Sequence, residues 1–386
     1  METIGRARAS RFTRIGYLDI PGGGQVVVDG RWAYIGHMTP PYGTSIVDVA
    51  DPRAPRLVSQ VSIPDGIHSH KVRVLGDLML VNHERYPAHG PGAGRSEQPP
   101  VGLVLYDIAD RAKPRLIGRF PTAARGVHRF DLAGTRVFLS TEWEGFSTNI
   151  LTIVDVARPE RPEMVGQWWL PGQHVAAGEK PPAGRHYWVH LVLARGERAY
   201  AACGQAGAVI LDIADPRTPR TIGSVAWNPP YTSPTHTVLP LPHTIRGRRF
   251  AVVTDEDVTD DLLEDPPAFM WVLDITNEAR PVPVATYQAD PDGLVVRGRR
   301  FGAHQPWEHV RPDSIVFLAW FSGGVRAVDV SDPYLPREVG HYVPPAPDGE
   351  SAVQTNDIFV DTRGLVYAID RGRGLSVLEY APYAAR

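Results

Sequence analysis

One cysteine, Cys203, stands in 386 residues, so no internal disulfide can form and a reducing, cytoplasmic setting is expected. Long apolar runs are also missing. No stretch approaches the ~18 residues that would span a bilayer, and none follows the basic start METIGRARASRFTR, so neither a membrane span nor a secretory signal is expected. Charge is nearly balanced at −3, with no basic stripe to engage nucleic acid and no block of like charge. The G-x-S-x-G elbow, the phosphate-binding loop, H-E-x-x-H and paired C-x-x-C are all absent. What remains is an ordinary globular composition rich in turn formers, with 37 Gly and 37 Pro spread along the chain.

The turn formers mark a repeat. SIVDVADPRAPRLVSQVSIP (45–64) recurs as LVLYDIADRAKPRLIGRFP (103–121), LTIVDVARPERPEMVGQWWLP (151–171) and AVILDIADPRTPRTIGSVAW (208–227). MWVLDITNEARPVPVATYQ (270–288) and VRAVDVSDPYLPREVGHYVPP (325–345) follow, and LSVLEY (375–380) is a last half-copy. The aligned acids are Asp48, Asp107, Asp155, Asp212, Asp274, Asp329 and Glu379, with a mean period of about 55 residues. Each copy holds a strand, a D-x-x-P-x-x-P turn and a second strand, preceded by two further strands. Four strands per unit with such turns specify an all-β fold, a seven-bladed β-propeller formed as one domain over 1–386. The repeated Asp is read as a turn residue that accepts backbone N–H groups. The last unit lacks its outer strand, and TRIGYLDIP (13–21) matches the missing piece. It is expected to close the ring and remove two sheet edges, leaving 1–12 as a flexible segment.

VDVADPRAP and its copies resemble the LVIVD-repeat family of seven-bladed propellers, which is related to the selenium-binding protein and methanethiol oxidase group. The resemblance covers nearly the whole chain. It implies the fold, and it points toward oxygen-dependent chemistry.

Aligning the inner strands on the Gly six residues beyond their start exposes a column: His70 (Gly76), His128 (Gly134) and His190 (Gly196). His236 joins by its apolar run, and in the sixth unit FGAHQPWEHV offers His304 or His309. Asn356 and Gly24 hold the place in the seventh and first units. Equivalent inner-strand positions of a propeller ring a central channel, and imidazoles converging there suit Zn, Cu, Fe or Ni. The bland alternative is a hydrated channel lining. His68 and His186 lie two and four residues from column members, on the same face if extended, and are further candidate ligands.

A column of acids lies fourteen residues on: Glu84 after His70 and Glu142 after His128, with Glu256 equivalent in the fifth unit and Asp370 in the seventh. Metal-bound His commonly donates its free N–H to a carboxylate, so these acids either orient imidazoles or, with Asp255, act as general acid or base. The bland alternative is a solvated loop face. The arrangement looks like the four-His, Glu-supported iron site of the carotenoid-cleaving oxygenases. Long loops (83–102, 171–188 and 255–270) and the aromatics Tyr86, Trp143, Trp188 and Trp307 are candidate walls around a small-molecule substrate. Cys203 is read as a quiet buried thiol, with ligand or redox roles as the alternative.

The expected function is therefore a metal-dependent oxygenase or oxidase with one divalent ion, Fe or Cu before Zn or Mn. A Lewis-acid lyase, isomerase or hydrolase on the same residues, and a non-enzymatic scaffold, are the rivals.

Overall fold

A computed structural model describes residues 8–85, 99–258 and 268–383. The fold is all-β, with short 3-10 turns at Val175–Ala177 and Ala381–Tyr383, and among the described residues no helix is long and apolar enough to cross a membrane. The strands form antiparallel sheets of four, one for each sequence repeat. The first unit is Gly23–Asp29, Trp32–His37, Tyr42–Asp48 and Arg56–Ser62. The fourth and fifth units join into one sheet through a single pair, Gly204 with Thr235. In the sixth, Ala303–Trp307 continues the ladder inside Ile315–Ala319 through His304 N–H to Ala319 O (3.1 Å) and Trp307 N–H to Phe317 O (2.9 Å).

The repeat signature does the structural job that the sequence assigns to it. The Oδ1 of Asp48, Asp107, Asp155, Asp212, Asp274 and Asp329 each accepts the amide two residues on, at 2.7–3.0 Å. This is the turn that an aspartate stabilises on its own backbone. The preceding unit's glycine makes room for each turn: a Cβ on Gly118 would sit 1.9 Å from Pro159 O, and one on Gly166 would sit 2.3 Å from Pro216 O.

The last sheet closes as expected. Phe12–Pro21 pairs antiparallel with Arg373–Tyr380, with Gly16 opposite Val377. The segment before it departs from expectation, because Arg8–Ser10 is a strand on the outer edge of the sixth sheet, with Ala9 opposite Tyr342. A further edge is covered there, which a free leader would have left open. Apolar side chains pack between neighbouring sheets, and one cluster joins the seventh unit (Tyr367, Ile369, Val377) to the first (Val26, Ile35, Val47). Val26 N–H also donates to Asp357 Oδ2 (3.1 Å) across the same junction.

One irregularity recurs at the inner strands. Their register slips between Gly23 and Gln25, Val127 and Arg129, Tyr187 and Leu191, Thr235 and Thr237, and Thr355 and Asp357. The skipped residues include Gly24, His128, His190, His236 and Asn356. In the second unit the inner strand breaks between Ile67–His68 and Val72–Leu75, and His70 lies in the break. A bulge leaves a residue out of the ladder and re-aims its side chain. The histidine column is thus a column of bulges.

Candidate metal centre

The re-aimed histidines meet. Ring centroids run His68 to His70 3.8 Å, His70 to His128 5.3 Å, His128 to His190 5.0 Å, His190 to His236 4.2 Å and His236 to His304 4.2 Å. All six line one cavity of about 120 Å³. The sixth-unit position is His304. His309 lies elsewhere, beside Trp307 in a separate cavity.

Most rings are anchored by Nδ1. His68 Nδ1 is 2.8 Å from Met38 O, His190 Nδ1 2.8 Å from His236 O and His304 Nδ1 2.6 Å from Asn356 O. His128 Nδ1 is 2.9 Å from Glu84 and His236 Nδ1 is 2.9 Å from Thr237 Oγ1. A carbonyl or carboxylate partner only accepts, so it fixes the proton on Nδ1 and leaves the Nε2 lone pair free to ligate. His128 Nε2 and His190 Nε2 face each other at 3.2 Å, close to the separation of two adjacent ligands each ~2.1 Å from one ion. His70 differs. Asn82 Oδ1 accepts Lys71 N–H and its Nδ2 donates to Val127 O, so that amide group can only donate toward His70 Nδ1 at 3.3 Å. Neutral His70 then carries its proton on Nε2 and suits an ion less well.

Two carboxylates belong here. His68, His70 and Glu84 bring ligand atoms within 4.8 Å of one another, as do His190, His236 and Glu256. Glu256 lies 3.8 Å from His304 Nε2 and 4.0 Å from His236 Nε2, and is steadied by Arg300 at 2.8 Å. Burial opposes ionisation of Glu84, but His128, His68 and Arg125 outweigh it and hold the carboxyl below its ordinary range. Burial, reinforced by neighbouring cations and imidazoles, depresses His70, His190, His236 and His304 well below the usual imidazole value. Near neutral pH they are uncharged, and His190 and His304 keep their one ring proton on Nδ1, away from the ligating nitrogen.

The other acids are elsewhere. Glu142 accepts the Arg125 amide at 3.0 Å and stays out of the cavity lining, since the carboxylate of one unit serves the histidine of the next (Glu84 to His128) and His190 finds a carbonyl instead. Asp255 is buried between two indoles, accepting Trp227 Nε1 at 3.1 Å, Trp271 Nε1 at 2.6 Å and Thr235 Oγ1 at 3.2 Å. Burial raises it to about 7, and it clamps the fourth unit to the fifth. Asp370 binds backbone amides of Gln354, Gly372 and Arg373.

Cys203 is buried in apolar packing that pushes its thiol up, as a quiet structural thiol would be. His186 is exposed against Trp188, and neither lines the cavity. Trp143 stacks on Phe120, and Trp307 packs toward Phe359. Tyr86 and most of the loops 83–102 and 255–270 lie outside the described residues; the loop 171–188 does not line the cavity.

Sequence reasoning missed the cations. Lys71 and Arg129 line the cavity, as do Arg125 and Arg371. Arg129 Nη1 lies 2.6 Å from His236 Nε2, and Nη2 donates to Gln305 Oε1 at 2.6 Å. The signal was adjacent to the column, in the pairs His70-Lys71 and His128-Arg129. Strand alternation sends the second member of each pair away, and only a bulge lets both reach the channel.

Two segments, 23–62 and 190–226, match the family described as LVIVD repeat. The chain carries LVIVD repeats. They coincide with the first unit and with most of the fourth. No curated protein matches. Among solved structures, the WD40 β-propeller domain of Doa1 is similar at 8% identity and a TM-score of 0.55, over 95% of this chain and 97% of that one. Saccharomyces cerevisiae Sqt1 is similar at 10% identity and a TM-score of 0.53, over 92% of this chain and 82% of that one. The computationally designed Ika8 protein is similar at 8% identity and 0.52, over 94% and 98%. At such identities the likeness carries the propeller architecture alone.

Proposed function

We propose that this protein is a metal-dependent enzyme. In this reading the units form one seven-bladed ring, and a single divalent transition metal sits in its channel, held by Nε2 of His128, His190, His236 and His304 with Glu256 alongside. The observation that carries it is the pair of Nε2 atoms 3.2 Å apart, in an arc of rings whose other nitrogens are already engaged. The donor set fits the ion, because neutral imidazoles are borderline ligands that favour Fe, Cu or Zn over Mg or Ca.

A bound redox metal would supply oxidation of a small organic substrate, and Zn or Mn would supply Lewis-acid activation. Glu84 holds the proton of His128 on Nδ1 and fixes that ring's direction. Glu256, facing the Nε2 side, either ligates or takes a proton from substrate or water. Thr237, the carbonyl of His236 and the carbonyl of Asn356 hold the remaining rings in place. We favour oxidation by Fe or Cu. That choice rests on the expected relation of LVIVD-repeat propellers to the selenium-binding protein and methanethiol oxidase group rather than on geometry.

Elemental analysis of purified protein beside His128→Ala tests the reading. One equivalent of Fe or Cu per chain, lost in the variant, is expected. Zn or Mn in that place selects the Lewis-acid rival. A wild type that retains no metal after loading contradicts the metal-enzyme reading and returns the scaffold.

A further inference from the structure

Beneath the imidazole arc lie two buried cations that no carboxylate contacts directly. Lys71 is buried, and the hydrogen bond its ammonium makes is to a neutral carbonyl, Gly24 O at 2.9 Å. Arg129, equally buried, contacts only neutral groups, His236 Nε2 and Gln305 Oε1. Among the described residues neither makes an ion pair. The carboxylates whose fields reach them are already engaged, Asp357 by the amides of Val26 and Ile358, Glu308 by Arg73 and Glu256 by Arg300. Burying a charge without a partner is strongly unfavourable, so an uncompensated pair at a cavity implies a missing counter-charge.

The whole cavity is biased the same way. Lys71, Arg125, Arg129 and Arg371 line it against the carboxylates of Glu84 and Glu256. A divalent metal would widen that excess. Ligation by His236 also requires its Nε2 lone pair, which the Arg129 guanidinium now occupies. Once displaced, that guanidinium needs another acceptor in the same space. The volume of about 120 Å³ equals that of about four waters, enough for a carboxylate and a short stem.

We propose that this cavity binds a small anion, the carboxylate of the substrate, gripped by Lys71 and Arg129 beside the metal. The assignment deepens the reading above by naming its substrate class, yet the cation pair stands without the metal.

Calorimetric titration with acetate and with acetamide, its neutral counterpart of similar shape, tests this on metal-loaded and metal-stripped full-length protein. Acetate is expected to bind once per chain and at least about tenfold more tightly than acetamide in both forms. Lys71→Met and Arg129→Met are each expected to remove that preference. Equal binding of the two probes to the wild type overturns the proposal with no variant needed, as does an acetate preference that survives both substitutions. A protein without metal that still prefers acetate sinks only the metal centre. A metal-bearing protein indifferent to charge sinks only the anion site.

Discussion

Two cavities, each lined by side chains from several units, arrange their charged and titratable groups oppositely. In one, Arg73 binds Glu308 (2.5 Å), Arg195 binds Asp131 (3.3 Å) and Arg195 also donates to the Glu308 carbonyl (2.8 Å). Asp131 further accepts the Ala194 amide at 3.0 Å, and Gln305 donates to Glu308 at 3.2 Å. Donors meet acceptors, and the network is complete in itself. In the other, imidazole nitrogens face one another, and Lys71 and Arg129 settle for neutral partners. A buried polar group normally finds its partner. On the reading proposed above, the satisfied cavity is structural and the unsatisfied one is the binding site.

The contrast breaks if both cavities respond alike to substitution. The largest expected effect is at the paired one. Glu308→Ala leaves buried Arg73 with only its longer contact to Asp131 (3.7 Å) and lowers the free energy of unfolding by about 3–5 kcal/mol in chemical denaturation, while the folded fraction keeps its metal. In the other cavity His128→Ala, whose side chain is 29% exposed, removes the metal with a much smaller change in stability.

Next in size is the carboxylate behind His128. Glu84→Gln preserves shape but loses the charge that fixes the imidazole, and should weaken metal affinity about 10–100-fold in competition with a chelating dye. Glu142→Gln, one unit further on, should leave it unchanged.

A third test uses a histidine satisfied on both sides. His37 Nδ1 lies 3.1 Å from Pro21 O and Nε2 2.7 Å from Ser45 Oγ. Burial lowers it to about 4 from 6.5. The unfolded chain then takes up the proton first, so the stability it contributes is intact above pH 6.5 and is lost as pH falls toward 4. His37→Gln should flatten the stability profile in that window by roughly 1.4 kcal/mol per pH unit, without touching metal content. The smallest effect belongs to exposed His186: its replacement by Ala should change stability by less than about 0.5 kcal/mol and metal content not at all.

These contrasts also mark what the chain's sequence discloses. The repeat, its Asp turns and the closing strand Phe12–Pro21 are local patterns, and each was readable. So was the histidine register, because Gly76, Gly134 and Gly196 all adopt φ of +60° at the hairpin that follows and fix the count back to the column. Pairings between units were not readable. Periodicity aligns Glu142 with His128, but the carboxylate that reaches His128 is Glu84 of the preceding unit. Asp255 looked like a site acid until Trp227, from the end of the fourth unit, captured it. Lys71 and Arg129 were hidden by alternation, which a bulge overrides.

X-ray absorption fine structure on the metal-loaded protein tests the central claim most directly. At least three imidazole nitrogens at about 2.0–2.2 Å from a single ion are expected, with one of them lost in His190→Ala. A shell of oxygen ligands alone, or a spectrum unchanged by that substitution, would contradict it.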